Sequence, residues 1–344
     1  MKAVQVTGYG DVDKLNVVEQ EIPQPKENEV LIKIKACAIN NTEIWMREGA
    51  YGKDEESGWK PEGVTFPRTP GSDITGTVVK AGSTAHESML GKNVVLFPYT
   101  SSGSEGEEHL SDDLSFIGSE YDGGYAEYVA WPADLCFDMP LDNFIESAVF
   151  PVSGMTAWHM AEQIEIKPEE TVLVTGANGG VGLLNVQIAS KLFGAKVIAL
   201  VGDTSLEGRL KELGAAHVLS YRSSTLAQDI LKVNGGPVDS VLDVVGDALF
   251  STSLEVLKNG GKFCISGSAG GQKTELDFRT LYLKHLTFYG SVLGTKEEFQ
   301  RLLDAVAKGK LTPVIDRTFP LQNAREAQQY FKQSGKLGKI VLIP

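Results

Sequence analysis

The segment Thr171-Val-Leu-Val-Thr-Gly-Ala-Asn-Gly-Gly-Val-Gly182 decides the fold of this chain. Its first five residues form an apolar run typical of a parallel strand buried on both faces, and a helical pattern follows over Val181–Phe193. Between them, Gly179 lets the backbone approach a phosphate and Gly182 lets the helix pack against the strand. The start of the helix offers free N–H groups to an anion. This strand–turn–helix predicts a dinucleotide site, although Ala177 replaces the first glycine of the usual G-x-G-x-x-G pattern.

Strands and helices alternate on the C-terminal side of this turn, which predicts right-handed βαβ units and a doubly wound parallel sheet. The expected elements are strand Lys196–Val201, helix Leu206–Leu213, strand His217–Ser220, strand Asp239–Val245, helix Ala248–Leu257 and strand Gly261–Ser266. The turn itself, together with residues at the carboxyl ends of these strands, forms the predicted cofactor site: Gly176, Ala177, Asn178, Gly179, Gly180, Val181, Gly182, Gly202, Asp203, Val245 and Gly267.

The N-terminal third has a different pattern, with short β-branched runs that predict a small β-barrel or sandwich. These strands are expected at Met1–Thr7, Glu29–Ala38, Asp73–Lys80 and Lys92–Phe97, and the C-terminus adds helices Lys296–Ala307 and Ala324–Gln333 and strand Lys339–Ile343. The segment Ser101–Asp113 is acidic and rich in Ser and Gly. Because such a composition buries little, we expect a surface loop there.

Composition narrows the functional class. The 344 residues suit about two domains. The 32 Lys and Arg residues against 45 Asp and Glu residues give a net charge of −13, which disfavours nucleic-acid and membrane-surface partners. Three widely separated cysteines, Cys37, Cys136 and Cys264, form no disulfide framework or paired metal motif, which fits the reducing cytoplasm. The sequence shows no secretory leader or membrane span.

The end of the second parallel strand bears on the choice between NAD and NADP. A carboxylate there accepts the ribose hydroxyls of NAD, whereas a nearby cation accommodates the 2′-phosphate of NADP. Asp203 is either that ribose acceptor or the N-cap of the next helix. Arg209, Tyr221 and Arg222 either reach a 2′-phosphate or face solvent. The sequence therefore leaves the preference open.

Several motifs together make the whole chain resemble the medium-chain dehydrogenase/reductase superfamily, on its zinc-independent quinone-oxidoreductase side. Besides the glycine turn, they are Asn40-Asn-Thr-Glu43, Pro70-Gly-Ser-Asp73, Asp122-Gly-Gly-Tyr-Ala-Glu-Tyr128, Pro151-Val-Ser-Gly-Met-Thr-Ala-Trp158, Leu213-Gly-Ala215, Gly290-Ser291 and Gly335-Lys-Leu-Gly-Lys-Ile-Val-Leu342. The resemblance implies an α/β protein in which a GroES-like β-barrel catalytic domain (residues 1–130 and 285–344) accompanies a Rossmann nucleotide-binding domain (residues 131–284). It also implies a homodimer that pairs through the sheet edge near Leu281–Gly290.

The resemblance also shows departures that bear on metal binding. Zinc alcohol dehydrogenases of this superfamily place a Cys where this chain has Asn40, and His-Glu where it has Ser72-Asp73. An amide and a hydroxyl are poor zinc ligands beside thiolate and imidazole. No Cys occurs between Cys37 and Cys136, where relatives carry a four-cysteine structural zinc lobe. We therefore expect neither zinc ion.

The remaining chemistry is hydride transfer from NAD(P)H to a small-molecule acceptor: a quinone, an enone or a small aldehyde or ketone. By resemblance, Asn40 lies at the cleft floor, where it either donates a hydrogen bond to the acceptor or satisfies local backbone. Glu43 and Asp73 are assigned to a polar network where zinc lies in relatives, or to structural roles. Trp45 occupies a frequent Tyr position and can donate a hydrogen bond but not an acidic proton. Thr156 matches a nicotinamide-contacting position, or else bonds to its own helix.

A zinc-type alcohol dehydrogenase and a non-catalytic nicotinamide-binding protein are the alternative functions.

Overall fold

A computed structural model describes residues 1–50 and 64–344 of the chain. The N-terminal region is built from short strands with three helices between or after them. Its elements are β1 (Lys2–Val6), β2 (Leu15–Glu19), β3 (Glu29–Ala38), α1 (Asn41–Glu48), β4 (Asp73–Ala81), β5 (Asn93–Leu96), β6 (Tyr99–Thr100), β7 (Ser115–Phe116), β8 (Tyr128–Pro132), β9 (Cys136–Asp138), α2 (Phe144–Ser147) and α3 (Pro151–Gln163).

The C-terminal region alternates strands and helices. Its elements are β10 (Thr171–Val174), α4 (Gly180–Gln187), β11 (Lys196–Val201), α5 (Glu207–Glu212), β12 (Ala215–Ser220), α6 (Leu226–Asn234), β13 (Val238–Asp243), α7 (Asp247–Val256), β14 (Leu257–Ile265), α8 (Phe278–Leu283), β15 (Thr287–Gly290), α9 (Lys296–Ala307), β16 (Ile315–Pro320), α10 (Ala324–Phe331) and β17 (Lys339–Ile343).

The N-terminal sheet is organised around β3, which has the bounds that the sequence predicts. It pairs antiparallel with β4, β8 and β17, and the sheet runs in the order β16-β17-β3-β4-β5-β9, with β8 added on β3. Its alternating apolar residues Val30, Ile32 and Ile34 are buried in the core. Because β17 pairs with β3, the C-terminus of the chain contributes to the N-terminal barrel domain.

The second sheet is six-stranded and parallel, in the order β12-β11-β10-β13-β14-β15. The strand order reverses at β10, so the carboxyl ends of β10 and β13 flank a crevice of the kind in which doubly wound sheets bind ligands. The central strand is covered on both faces, since Val172, Leu173 and Val174 are fully buried. The predicted α/β fold with a doubly wound parallel sheet is confirmed.

Sheet membership differs from the predicted domain boundaries at two strands. β9 pairs with β5 in the barrel sheet, although residues 131–284 are assigned above to the nucleotide-binding domain. β15 pairs with β14 in the parallel sheet, although residues 285–344 are assigned to the barrel. Both strands are short, with three and four residues, so their sequence pattern does not indicate which sheet supplies their partner.

Some elements also differ from the predicted ones. The predicted helix Val181–Phe193 is α4, followed by a π-helical turn over Ile188–Leu192. Helices α1, α2, α6 and α8 were not predicted from the sequence. Exposed apolar side chains explain the omission of α8, because its Phe278, Tyr282 and Leu283 face outward and give no amphipathic pattern. Helix α9 has the predicted bounds, and Thr295 and Glu298 form its capping box.

The acidic segment 101–113 is only partly the surface loop that its composition predicts. Glu108 is buried, and its carboxylate accepts the backbone N–H of Gly106. A short 3₁₀ turn over Glu108–Leu110 brings the ring of His109 against that of His159 on α3.

Among residues 1–50 and 64–344, no helix is both long enough and apolar enough to cross a membrane.

Candidate nucleotide and acceptor site

The glycine turn joins β10 to α4, and two of its glycines are required by the fold itself. Gly176 has φ +57°, a backbone conformation that residues other than glycine rarely adopt. A Cβ on Gly182 would lie 2.2 Å from the backbone oxygen of Gly176, which is too close for any other residue. These two positions therefore create the close packing of helix on strand.

Gly179 has no such requirement. Its backbone is extended, with φ −86° and ψ 174°, and a Cβ there would approach only the Gly176 oxygen, at an ordinary 3.5 Å. Gly179 is also the N-cap of α4, so no cap side chain satisfies the first amide groups of the helix. The space in front of these amides is what a bound anion would need, which makes the turn fit a pyrophosphate.

A cleft of about 1400 Å³ runs from this turn across to the barrel domain. Most of the predicted cofactor residues line it: Thr156, Gly176, Asn178, Gly179, Gly180, Val181, Gly182, Val245 and Gly267. On the barrel side the lining includes Asn40 and Trp45, as predicted. The lining also includes Lys336 and Lys339, two cations that the sequence analysis did not assign.

The other predicted cofactor residues lie outside this lining. Ala177 is fully buried, and its N–H donates to the oxygen of Leu200, so its role is packing. Arg209 forms an exposed ion pair with Glu212 at 2.7 Å. Neither Ala177 nor Arg209 lines the cleft, and a contact of either residue with a cofactor stays a prediction.

Gly202, Asp203 and Tyr221 come together at the carboxyl end of β11. A Cβ on Gly202 would lie 2.6 Å from the hydroxyl oxygen of Tyr221, so glycine permits the ring to cover the strand end. The carboxylate of Asp203 accepts the N–H of Ser205 at 2.9 Å, which is the N-cap role considered above. Asp203 and Tyr221 are both exposed, so a ribose is sterically able to approach them.

A buried polar cluster lies where α1, α3, β4 and β17 meet. The Nζ of Lys339 lies 2.8 Å from Oδ2 of Asp73, and it donates to Oδ1 of Asn40 at 2.5 Å and to Oγ of Ser153 at 3.1 Å. The Lys339 and Asp73 side chains are 3% and 0% exposed. The second carboxylate oxygen of Asp73 accepts the N–H of Val152 at 2.7 Å, which fixes it to the start of α3.

This cluster orients the amide of Asn40. An ammonium can only donate, so the Asn40 atom facing Lys339 is the oxygen and its Nδ2 points elsewhere. Nδ2 is buried and has no hydrogen-bond partner among the described residues. Asn40 lines the cleft, so this unsatisfied donor lies buried beside the cleft.

Glu43 belongs to the first turn of α1, where it forms a capping box with Asn40. Its Oε2 accepts the N–H of Asn40 at 2.6 Å. Its Oε1 accepts the N–H of Ser72 at 3.2 Å and lies 3.3 Å from the Ser72 hydroxyl. Burial raises the pKa of Glu43 to about 7, and the positive charge of Lys339 opposes this shift.

A second pocket, of about 610 Å³, opens beside the cleft and shares Thr42, Val292 and Leu293 with it. Its other walls are mostly apolar, with Met46 and Phe116, and its polar lining includes Glu43 and Ser72. Leu293 holds a positive φ of 58°, and the next residue, Gly294, accepts a hydrogen bond from the Tyr99 hydroxyl at 2.6 Å. The pocket therefore offers an apolar acceptor site contiguous with the cleft.

The donor set does not fit a catalytic zinc ion. Where zinc alcohol dehydrogenases were said above to have zinc ligands, this chain offers the amide of Asn40 and the hydroxyl of Ser72. The ammonium of Lys339 already lies between Asn40 and Asp73. Residues 1–50 and 64–344 contain no cluster of three His, Cys, Asp or Glu side chains arranged to bind a metal ion. A second cation next to the Lys339 ammonium would also be repelled by its charge.

Lys339, Ser153, Ser72 and Lys336 are the site residues that the sequence analysis left unassigned. Lys339 could have been identified from the sequence, because it is the single charged residue at the start of the apolar strand Lys339–Ile343. Ser153 had none, because it is one of many serines and acquires its role only through the docking of α3 against β17.

The comparisons with known proteins agree with this architecture. Residues 26–141 match the family model for the alcohol dehydrogenase GroES-like domain, and residues 180–308 match the model for zinc-binding dehydrogenases. An NAD-dependent alcohol dehydrogenase of Sulfurisphaera tokodaii is 30% identical over 355 residues, covering 100% of both chains. The human quinone oxidoreductase is 30% identical over 354 residues, covering 100% of this chain and 98% of its own.

Solved structures lead to the same family. The cobalt- and zinc-bound thermostable alcohol dehydrogenase of Pyrobaculum aerophilum superposes with a TM-score of 0.89 at 30% identity, covering 100% of this chain and 99% of that one. Full-length similarity at this level, together with the two matched domains, establishes the relationship. The chain belongs to the medium-chain dehydrogenase/reductase superfamily of oxidoreductases.

Proposed function

We propose that this oxidoreductase uses a nicotinamide dinucleotide to reduce a quinone, an enone or a small aldehyde or ketone without a metal ion. Relatives are named both alcohol dehydrogenase and quinone oxidoreductase. These names support an oxidoreductase reaction, but they do not agree on the compound that is reduced. The observation that carries the proposal is Gly179. No neighbouring protein atom would clash with a side chain at position 179, so packing does not explain the glycine there. Its missing side chain leaves the first amides of α4 open to a phosphate.

The chain's own residues fit the parts of such a cofactor. The first amides of α4 would bind the pyrophosphate, and Lys336 in the lining adds positive charge near it, whereas the charge of Lys339 is compensated by Asp73. Thr156 presents a hydroxyl to the same cleft from α3. The bound reduced nicotinamide supplies the hydride. The protein's part is to hold it against an acceptor and to exclude water.

The acceptor is proposed to occupy the apolar pocket beside Leu293, with its oxygen near Asn40. Lys339 and Ser153 hold the Asn40 oxygen, so Nδ2 is fixed in place before the acceptor binds. A donor oriented in this way stabilises charge that develops on the acceptor oxygen. Trp45 contributes another wall of the cleft. A planar quinone or enone suits these apolar surroundings, and Asn40 takes the place of a Lewis acid.

Gly179→Val tests the nucleotide assignment. The extended backbone of Gly179 accepts a β-branched residue, so the fold should survive, but the new side chain would fill the phosphate position. We expect NADH and NADPH binding, followed by nicotinamide fluorescence, to weaken at least tenfold, about 1.4 kcal/mol. Gly179→Ala should give a smaller loss, and both variants should keep the wild-type melting temperature. Unchanged affinity in the valine variant would contradict the proposal and favour a different binding mode.

The quaternary arrangement is also a proposal. The edge strand β15 and the adjoining α8 expose several large apolar side chains: Phe278, Tyr282, Leu283 and Phe288. An exposed strand edge flanked by such residues is typical of an interface. We propose that the chain forms a homodimer there, measurable by light scattering. A cytoplasmic location remains part of this proposal, in keeping with the three free cysteines.

A further inference from the structure

The acceptor pocket contains a carboxyl group in unusual surroundings. Glu43 is 2% exposed, yet it lines the pocket together with Ser72, which is also 2% exposed. The neighbouring pocket walls, such as Met46 and Phe116, are apolar. A carboxyl group at such a place serves either to cap α1 or to exchange a proton with whatever enters the pocket.

The hydrogen bonds around Ser72 distinguish these roles. The Ser72 hydroxyl has one proton, and its better-placed acceptor is the backbone oxygen of Ile117, at 2.9 Å. Its contact with Glu43 Oε1 is 3.3 Å between two oxygens. If the serine proton points to Ile117, only a proton on Glu43 makes the second contact attractive. With Glu43 neutral, its Oε1–H donates to the Ser72 hydroxyl oxygen, while Oε1 keeps a lone pair for the Ser72 N–H at 3.2 Å.

The charges around Glu43 are consistent with a neutral form that can still ionise. Lys339 favours the carboxylate, whereas burial and the nearby Asp73 carboxylate oppose it. Cys37 and Tyr125 are the other titratable neighbours, and both have pKa values raised well above the usual range by burial, so they stay uncharged. A pKa of about 7 for Glu43 allows proton release and reloading near neutral pH.

We propose that the Glu43–Ser72 pair is the proton source for the acceptor oxygen, with Glu43 storing the proton and Ser72 passing it on. This inference rests on the proposed function. Glu43 acts through Ser72, so Ser72 is the group that contacts the acceptor, whereas Glu43 is a positioning and proton-storing residue. The capping box with Asn40 holds Glu43 in this orientation.

The proposed step balances as follows. The acceptor carbon gains a hydride from the dihydronicotinamide, which is oxidised while the acceptor is reduced by two electrons. The Ser72 hydroxyl turns from Ile117 toward the acceptor oxygen, and its O–H bond breaks as a new O–H bond forms on the product. Ser72 takes the Glu43 proton, which leaves a carboxylate beside Lys339. Solvent returns one proton to Glu43 after the product leaves.

Glu43→Gln is the sharpest test because the carboxamide has the shape of the neutral acid and has no proton to release. Its oxygen can still accept the Asn40 N–H, although its amide nitrogen cannot accept the Ser72 N–H. Wild-type kcat with a ketone acceptor should fall as pH rises through about 7, because the acid form is lost. The variant should lose roughly 10²–10³-fold in kcat and the pH dependence near 7. A quinone, whose reduced anion is a weaker base than an alkoxide, should show a smaller loss.

Two further variants separate a proton relay from a structural role. Ser72→Ala should reduce kcat about as much as Glu43→Gln, and the double variant should show little additional loss. Glu298→Gln is the matched control, because Glu298 is the buried capping-box glutamate of α9 and its pKa is lowered rather than raised. It should keep the wild-type pH profile.

Infrared difference spectra between pH 6 and pH 8 provide a readout without turnover. The wild type should show a buried carboxylic acid band that shifts in D₂O and is absent from Glu43→Gln. Absence of that band from the wild type, or an unaltered kcat–pH profile in an active Glu43→Gln, overturns the relay and leaves the proposed function intact. A wild type that reduces no acceptor with either nicotinamide overturns the proposed function itself.

Discussion

Lys339 Nζ and Asp73 Oδ2 are 2.8 Å apart, and both side chains are buried beneath the cleft. The lysine comes from β17 and the aspartate is the first residue of β4, so this ion pair ties the C-terminal strand to a strand of the barrel sheet. It also positions Asn40, whose oxygen accepts from the same ammonium. Removing a charge from such a buried pair leaves the partner uncompensated.

We therefore expect Lys339→Met to lower the free energy of unfolding by about 3–5 kcal/mol, because Asp73 would remain charged and buried. Urea unfolding measures this loss. The double variant Lys339→Met/Asp73→Asn should regain much of it, since both charges are then absent. Single losses below about 1 kcal/mol that simply add in the double variant would show that the pair is not coupled.

Asp203 should favour NADH over NADPH, because an exposed carboxylate at the end of β11 repels a 2′-phosphate. Asp203→Ser keeps an N-cap for the N–H of Ser205 but removes the charge. The ratio of kcat/KM for NADPH to that for NADH should rise roughly tenfold, about 1.4 kcal/mol. A wild type that prefers NADPH, or a variant with an unchanged ratio, would assign Asp203 to capping alone.

The raised pKa of Glu43 also predicts how stability depends on pH. Its pKa is about 7 in the folded protein and 4.5 for an unperturbed carboxyl group, so the folded state holds the proton longer. This contribution to stability is fully present below pH 4.5, decreases as pH rises to about 7, and is lost above that. The decrease is on the order of 3 kcal/mol.

The free energy of unfolding of Glu43→Gln, measured by urea titration from pH 5 to pH 8, should lack that decrease. Relative to the wild type, the glutamine variant should therefore gain stability between pH 5 and pH 8. Parallel pH curves for the two proteins would mean that Glu43 ionises with an ordinary pKa in the folded state.

Local patterns predicted much of the fold. The apolar run Thr171–Val174, the glycines after it and the regular alternation that follows are signals confined to a few turns of chain, and they defined the parallel sheet. The β3 bounds and helix α9 were likewise evident from β-branched alternation and an amphipathic stripe. Short strands such as β9 and β15 pair in a sheet that the predicted domain boundaries do not give them, because three or four residues carry too little pattern to indicate a partner strand.

The site was harder to predict because its chemistry comes from burial. The sequence motifs identified Asn40, Glu43 and Asp73, but only the structure shows that Lys339 lies among them and that Asn40 Nδ2 is unsatisfied. A pKa near 7 for Glu43 arises from desolvation by residues of several elements, which no local pattern encodes. Ala177 and Arg209 were predicted as cofactor contacts but lie outside the cleft lining, where the Ala177 N–H bonds to Leu200 and Arg209 forms a surface ion pair.

We propose that hydride transfer here needs a dinucleotide on α4 and no metal ion, with the Lys339 ammonium lying between Asn40 and Asp73. The most direct measurement is NADH and NADPH oxidation with a quinone, enone and ketone panel, using protein dialysed against a chelator and checked by elemental analysis. The account predicts steady turnover by protein with far less than one zinc per chain, unchanged when zinc is added. Turnover that disappears on chelation and returns with one zinc per chain would contradict it.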